Sequence, residues 1–275
     1  MDILDSVLSR LTASRTFRKL WRRFPKGSIQ TRMRYGIASR PHYLYCVYSA
    51  ASLARDLGLE AISVLEFGVA GGNGLVALEE ICSEVGGHFG IRIDVVGFDS
   101  GEGMPGPRDY RDVAHAWSAG DFAINVEALR SRISGRTELV LGDVAETASA
   151  WAQSRCVAPI GFASFDLDYY TSTRMAFSVF DAGSDKTRLP RVYCYFDDIM
   201  WPEYACHNPY LGELCAIREF NEEHDFRKIC PIHMLRHMRM DKAPWHEQIY
   251  VMHDFRHPLY TRNIARAWER QLPLL

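Results

Sequence analysis

Four aspartates in two pairs, Asp166 with Asp168 and Asp197 with Asp198, have the types and spacing that most directly imply chemistry. Each pair closes a short apolar run, Ile160 to Phe165 and Val192 to Phe196, that reads as a buried strand. If those strands are neighbours, about 4.8 Å apart, their carboxylates converge in one small space. Like charges held that close either take up protons or bind a cation. An all-oxygen donor set suits a hard ion such as Mg2+, completed by water and by oxygens of a substrate. The competing reading leaves two of the four solvated and gives the other two to helix caps. A proton acceptor beside such a site would be Asp166 or His115, the latter on a long loop where a histidine can equally be plain polar surface.

A second constellation occupies residues 63–74. Ser63 to Phe67 reads as a strand buried on both faces, Gly68, Gly71 and Gly72 allow a tight turn, and Leu75, Val76, Leu78 and Ile81 give the following helix an apolar side. A turn of this kind, with Val69, Ala70 and Asn73 in it, aims backbone N–H groups at a ligand. The dinucleotide fingerprint does not fit, because Ala70 replaces its second glycine and Asp99 lies well beyond the ~20-residue spacing. Asp99, followed by Ser100, closes the next strand, Ile91 to Phe98, where a carboxylate can accept from the two hydroxyls of a ribose. Gly142 and Asp143 follow a third strand, Thr137 to Leu141, and Asp143 either meets an adenine amine or caps a helix.

These residues are strung on an alternation of strand and helix. Helices are expected over 3–24, 41–58, the stretch after Asn73, from an Asp121 N-cap through Phe122, Val126, Leu129 and Ile133, over 144–155, after a Thr171 or Ser172 cap, and over 211–224. Two runs near the C-terminus, Phe226 to Met234 and Gln248 to Phe255, have no helix between them and should pair antiparallel. Five β-then-α units with such a pair predict an α/β, doubly wound, mostly parallel seven-stranded sheet with an antiparallel edge hairpin and an N-terminal helical extension. Residues 1–40 form the basic extension and 41–275 the single main domain. In an open sheet of this type, ligands bind at the carboxyl ends of the strands, where all the acids above lie.

Composition adds boundaries. The 275-residue chain is 47% hydrophobic and 24% charged, ordinary for a globular protein, with no run approaching the ~18–20 apolar residues of a membrane span and no secretory signal. Seven cysteines without close pairing predict reduced thiols and a cytoplasmic location. The net charge of −2 conceals a basic arm, with ten Lys and Arg against Asp2 and Asp5 in residues 1–40. Such an arm can lie on lipid or nucleic acid, but the plainer expectation is a solvated helix docked on the acidic body or on a second copy, making a homo-oligomer. No nucleic-acid partner is expected.

The ordered motifs together resemble the macrocin O-methyltransferase-like branch of class I S-adenosylmethionine (SAM) methyltransferases. The resemblance runs through Glu-Phe-Gly-Val-x-x-Gly-Gly from Glu66, Gly-Phe-Asp-Ser-x-Glu-Gly-Met-Pro at 97–105, Gly-Asp at 142–143, Asp-Leu-Asp-Tyr-Tyr-x-Ser-Thr at 166–173 and Phe-Asp-Asp at 196–198. It implies SAM held by Glu66, Gly68, Gly72 and Asp99, and magnesium held by Asp166, Asp197 and Asp198 with Asp168 less firmly included. It implies methyl transfer to a hydroxyl of a small metabolite such as a sugar of a glycosylated natural product. The alternatives are a metal-independent N-methyltransferase of the same fold and a SAM-binding protein without transferase activity. The basic arm, residues 183–190 and residues 203–260 depart from the family pattern, which leaves the acceptor open.

Overall fold

The computed structural model describes residues 8, 11, 12, 14–154 and 158–265. The expected helix over 3–24 and Cys156 therefore fall partly or wholly outside the described residues.

The central strand β1 (Ala61–Phe67) is buried from Ile62 onward, as expected of a strand covered on both faces. It pairs in parallel with β2 (Arg92–Asp99) on one side and β4 (Ile160–Phe165) on the other. With β3 (Glu138–Leu141), β5 (Arg188–Phe196), β6 (Arg227–Pro231) and β7 (Ile249–Asp254), they form one sheet of order β3-β2-β1-β4-β5-β7-β6. Strand β7 runs antiparallel to both of its neighbours, β5 and β6. The expected doubly wound sheet with an antiparallel edge hairpin is thus borne out.

Helices cover both faces. On one lie α3 (Pro41–Asp56) and α4 (Asn73–Phe89), whose Leu44, Val47, Leu75 and Leu78 share a core with Ile62 and Val64. On the other, α6 (Val144–Ser154), α7 (Tyr170–Ala176), α8 (Ser178–Asp181) and α9 (Gly212–Glu223) enclose Leu65, Phe67, Phe165 and Phe196 with Trp151, Phe177, Phe180 and Phe220. The chain enters through α1 (Arg15–Arg23), capped by Ser14, and α2 (Ile29–Arg34), capped by Ser28. An ion pair between Arg32 and Glu84 fastens α2 to α4, and Arg22 donates to the Gly36 carbonyl at 3.1 Å.

Four local expectations are corrected. The helix α5 (Val126–Arg132) is capped by Asn125, whose Oδ1 accepts from the Ala128 amide at 2.9 Å, so Asp121 and Phe122 remain in the preceding loop. There Asp121 accepts from Ser118 N at 3.0 Å and Phe122 adopts φ 59°. Neither Thr171 nor Ser172 caps α7, because the helix begins at Tyr170 and the Thr171 amide and hydroxyl donate to Asp112 instead. A four-residue helix, α10 (Leu235–Met238), separates β6 from β7. Strand β5 starts at Arg188, where the Arg188–Asp254 ion pair ties it to β7, rather than at Val192.

Candidate active site

Four phenylalanines level the carboxyl edge of the sheet. Phe98, Phe67, Phe165 and Phe196 are register partners on β2, β1, β4 and β5 and stack in a row, with centroids 4.6, 5.2 and 4.9 Å apart. All are buried. Because each is the last or penultimate residue of its strand, the residues that follow, Asp99, Gly68, Asp166 and Asp197, emerge at one level. A Phe-Asp or Phe-Gly step at the end of four strands is the sequence signal of this alignment.

At the β1 end the backbone turns at Gly68 (φ 85°), where any side chain would strike the Asp166 carbonyl. Asp99 fastens this turn. Its Oδ2 accepts from the amides of Val69 and Ala70 at 2.9 and 3.0 Å, and its Oδ1 from Gly101 at 2.8 Å. A carboxylate has about four acceptor positions, so one remains for a ligand hydroxyl. Ala70 tolerates φ 43° in this clamp. From the other side, Arg132 donates to the Gly71 carbonyl and to Asn73 Oδ1 at 2.7 Å. Gly72 (φ 77°) precedes α4 and lies against Leu129.

Glu66 sits beneath the turn rather than in the cavity. Its Oε1 packs on Gly74, with no room there for a side chain, and accepts from Tyr43 Oη at 2.7 Å, while its Oε2 has no partner. Burial pushes its carboxyl up to about 7 against the pull of Tyr43 and Arg40.

The acids of β4 and β5 converge as expected of neighbouring strands. Asp166, Asp197 and Asp198 each bring one carboxylate oxygen within 4.8 Å of the others. Asp168 lies outside that triangle: it takes φ 56°, its amide donates to Asp198 Oδ2 at 2.9 Å, and burial raises its carboxyl to about 7. Burial first, then Asp198 and Asp197, raise Asp166 well above the usual carboxylate range. Burial, then Asp168 and Asp197, do the same to Asp198. A fifth acid, Glu213 on α9, completes the cluster. It is fully buried, accepts from the Asp198 amide at 3.1 Å through Oε2 and leaves Oε1 unpartnered. Three carboxylate oxygens gathered from neighbouring strand ends are an all-oxygen donor set of the kind that would hold a hard divalent cation such as Mg2+. Arg40, at the start of α3, opposes the negative charge of Glu66, Asp166 and Asp197. Tyr195 donates to Asp197, and Gln248 donates to the Asp197 carbonyl at 2.8 Å.

A cavity of about 720 Å³ runs between the glycine turn and the acids. Gly68, Ala70, Asp99, Ser100, Gly142 and Asp143 line one part, and Asp166, Asp168, Asp197 and Asp198 another. Its outer wall is the 100–125 loop, contributing Met104, Trp117 and Phe122, with Trp201 beyond at 72% exposure. Buried Asp112 pins this loop to α7, accepting from Arg108 N at 2.7 Å as well as from Thr171. Ser100 Oγ donates to the Gly103 carbonyl at 2.9 Å, tightening the loop's start.

Not every expected site residue reaches the cavity. His115 points its Nε2 to the Ala205 carbonyl at 3.2 Å and does not line it. Val69, Gly71, Gly72 and Asn73 shape the turn from behind. Asp143 lines the wall and also caps α6, accepting from Ala145 N at 2.8 Å. Tyr43, one of three tyrosines whose helical spacing over 41–58 suits either a substrate mouth or plain packing, is packed, fully buried against Glu66 and absent from the cavity lining. Glu213, Arg40 and Arg132 escape the sequence reading. Each lies far along the chain from the residue it serves, and no local spacing marks it.

No family model and no curated protein matches the sequence. Among solved structures, the chain is similar to CalS11, a calicheamicin methyltransferase, with 22% identity over 75% of this chain and 77% of that one and a TM-score of 0.49. It is similar to an O-methyltransferase from Bacillus cereus in complex with SAH, with 14% identity, 75% and 78% coverage and a TM-score of 0.38. The plantazolicin methyltransferase BpumL matches with 9% identity, 91% and 96% coverage and a TM-score of 0.39. At these values the likeness assigns no chemistry to the chain.

Proposed function

We propose that the protein is a SAM-dependent O-methyltransferase acting on a hydroxyl of a small metabolite, assisted by a divalent cation. The observation that carries this reading is the meeting of three carboxylates from β4 and β5 with the glycine turn and Asp99 in one cavity. The Gly68 turn lets a ligand approach the backbone, and the remaining acceptor position of Asp99 would accept from a ribose hydroxyl. Met104, Trp117 and Phe122 provide apolar cover for an adenine and exclude water from the reaction. SAM would supply an activated methyl group, leaving the protein chiefly to align the acceptor oxygen with it. Asp166, Asp197 and Asp198 would hold Mg2+, whose chemistry is to lower the pKa of a coordinated hydroxyl. Of the two candidate proton acceptors, Asp166 lines the cavity and His115 does not. Asp168, which also lines it and is raised to about 7, is a third. A sugar hydroxyl on a natural product is the acceptor class we favour, and the exposed ring of Trp201 at the mouth suits the apolar face of such a ring.

The test is a panel of hydroxylated acceptors assayed for SAM consumption with and without EDTA. Turnover that EDTA abolishes and Mg2+ restores is expected. Turnover indifferent to EDTA supports the metal-independent N-methyltransferase, and SAM uptake by calorimetry without any turnover supports a non-catalytic binder. Asp197→Ala should keep SAM affinity within about threefold and lose turnover by roughly a hundredfold or more, as removal of charge stabilisation does elsewhere. Equal loss of SAM affinity in this variant would overturn the division of roles.

A further inference from the structure

Apart from Arg40, the basic arm takes no part in the site above. No acidic residue stands between Asp5 and Asp56, and α1 contributes Arg15, Arg18, Lys19, Arg22 and Arg23, followed by Lys26. None of Arg15, Arg18, Lys19, Arg23 or Lys26 makes an ion pair with another described residue, so the body of the protein does not neutralise them. Helix α1 buries no residue. One side touches the protein, with Trp21 donating to the Lys26 carbonyl at 2.8 Å and its ring 6.1 Å from Tyr35. Leu20 on the helix and Phe24 at its C-cap, whose N–H donates to the Leu20 carbonyl, are each 58% exposed. An apolar ridge flanked by uncompensated cations is the pattern of a helix lying in a lipid interface.

We propose that α1 docks the protein on anionic phospholipid, with Leu20 and Phe24 entering the headgroup boundary and Arg15, Lys19, Arg23 and Lys26 meeting lipid phosphates. Charge complementarity selects an anionic surface, and the apolar ridge selects lipid over nucleic acid, whose phosphate backbone offers nothing apolar to receive it. A symmetric contact between two copies would set this basic helix against itself. The contact is peripheral, since no described helix is long and apolar enough to cross a membrane.

Vesicle flotation with the full chain tests it, comparing phosphatidylcholine alone with equal parts phosphatidylcholine and phosphatidylglycerol at low ionic strength. Wild type should float with the anionic vesicles only, and should be released near 1 M salt, where the Debye length shrinks to about 3 Å. Each cation near the surface contributes about fivefold, so Lys19→Ala with Arg23→Ala should weaken binding roughly 25-fold. Leu20→Ser with Phe24→Ser should weaken it at least ~10-fold. Because α1 buries nothing, both double variants should keep the wild-type melting temperature and circular dichroism. Four results overturn the proposal. These are no flotation of wild type, equal flotation with neutral vesicles, tighter capture by duplex DNA than by anionic vesicles, or a dimer that Leu20→Ser with Phe24→Ser dissociates while vesicle binding is absent.

Discussion

Asp99 and Glu66 illustrate how single carboxylates on neighbouring strands take different work. Asp99 fastens the glycine turn through three amides, so its removal should act twice. Asp99→Ala is expected to weaken SAM binding by roughly 10- to 100-fold and to cost about 1–3 kcal/mol of stability, read by calorimetry and by denaturant unfolding. Glu66 has its folded carboxyl raised to about 7 from 4.5 by burial. Below the lower value it is protonated in both folded and unfolded chains, and between the two only the folded chain keeps the proton. Its contribution is therefore full at low pH and is lost as pH rises through about 7, a loss of roughly 3 kcal/mol. Glu66→Gln should flatten the fall in stability across that window. An unchanged slope in urea melts at several pH values would place the titration elsewhere. At this scale the sequence offered residue types and positions in the chain. That Glu66 turns under the loop and His115 away from the cavity follows from packing against Tyr43, Gly74 and Ala205, none of which their neighbours in sequence announce.

Among the elements, the close approach of β1 to β4 decides the site. Gly68 at φ 85° leaves space for the Asp166 carbonyl, which sets how far the acidic strand end stands from the turn. Gly68→Ala should cost about 2–5 kcal/mol from the left-handed backbone and the displaced carbonyl together. Its turnover should fall even under conditions where it remains folded. A variant with wild-type stability and rate would mean the two strand ends are not constrained by this contact. The expected strands were legible because apolar runs of four to eight residues ending in acid or glycine are distinctive, and β4 was read to the residue. The 121–125 segment was not, since Asp121 and Asn125 are both good N-cap types and the choice falls to contacts inside the loop itself, Phe122 with Trp117 at 5.6 Å and Asp121 with Ser118, that hydrophobic periodicity does not mark.

Across the whole molecule, ligand and cation should stabilise the folded state by linkage. At a hundredfold excess over its dissociation constant, SAM should contribute about 2.7 kcal/mol, or roughly 5–10 °C in melting temperature for a chain of this size. Mg2+ should add a further increment in wild type that Asp197→Ala abolishes while the SAM increment stays. A metal increment that survives in that variant would move the cation site away from the β5 acids. The sheet that permits this coupling spans both cores, so strand ends separated by more than a hundred residues respond as one edge.

The sequence by itself determined the strand and helix alternation, the antiparallel hairpin at the edge, and the placement of acids and glycines after strands, because burial on two faces and tight turns demand particular residue types locally. Only the tertiary structure decided that Asp168 meets the group through Asp198 rather than as a fourth member of the Asp166, Asp197 and Asp198 triangle, that Glu213 joins them from α9, and that Arg40 faces them from α3. Those relations depend on distances between elements set by side-chain packing, which no one-dimensional spacing encodes.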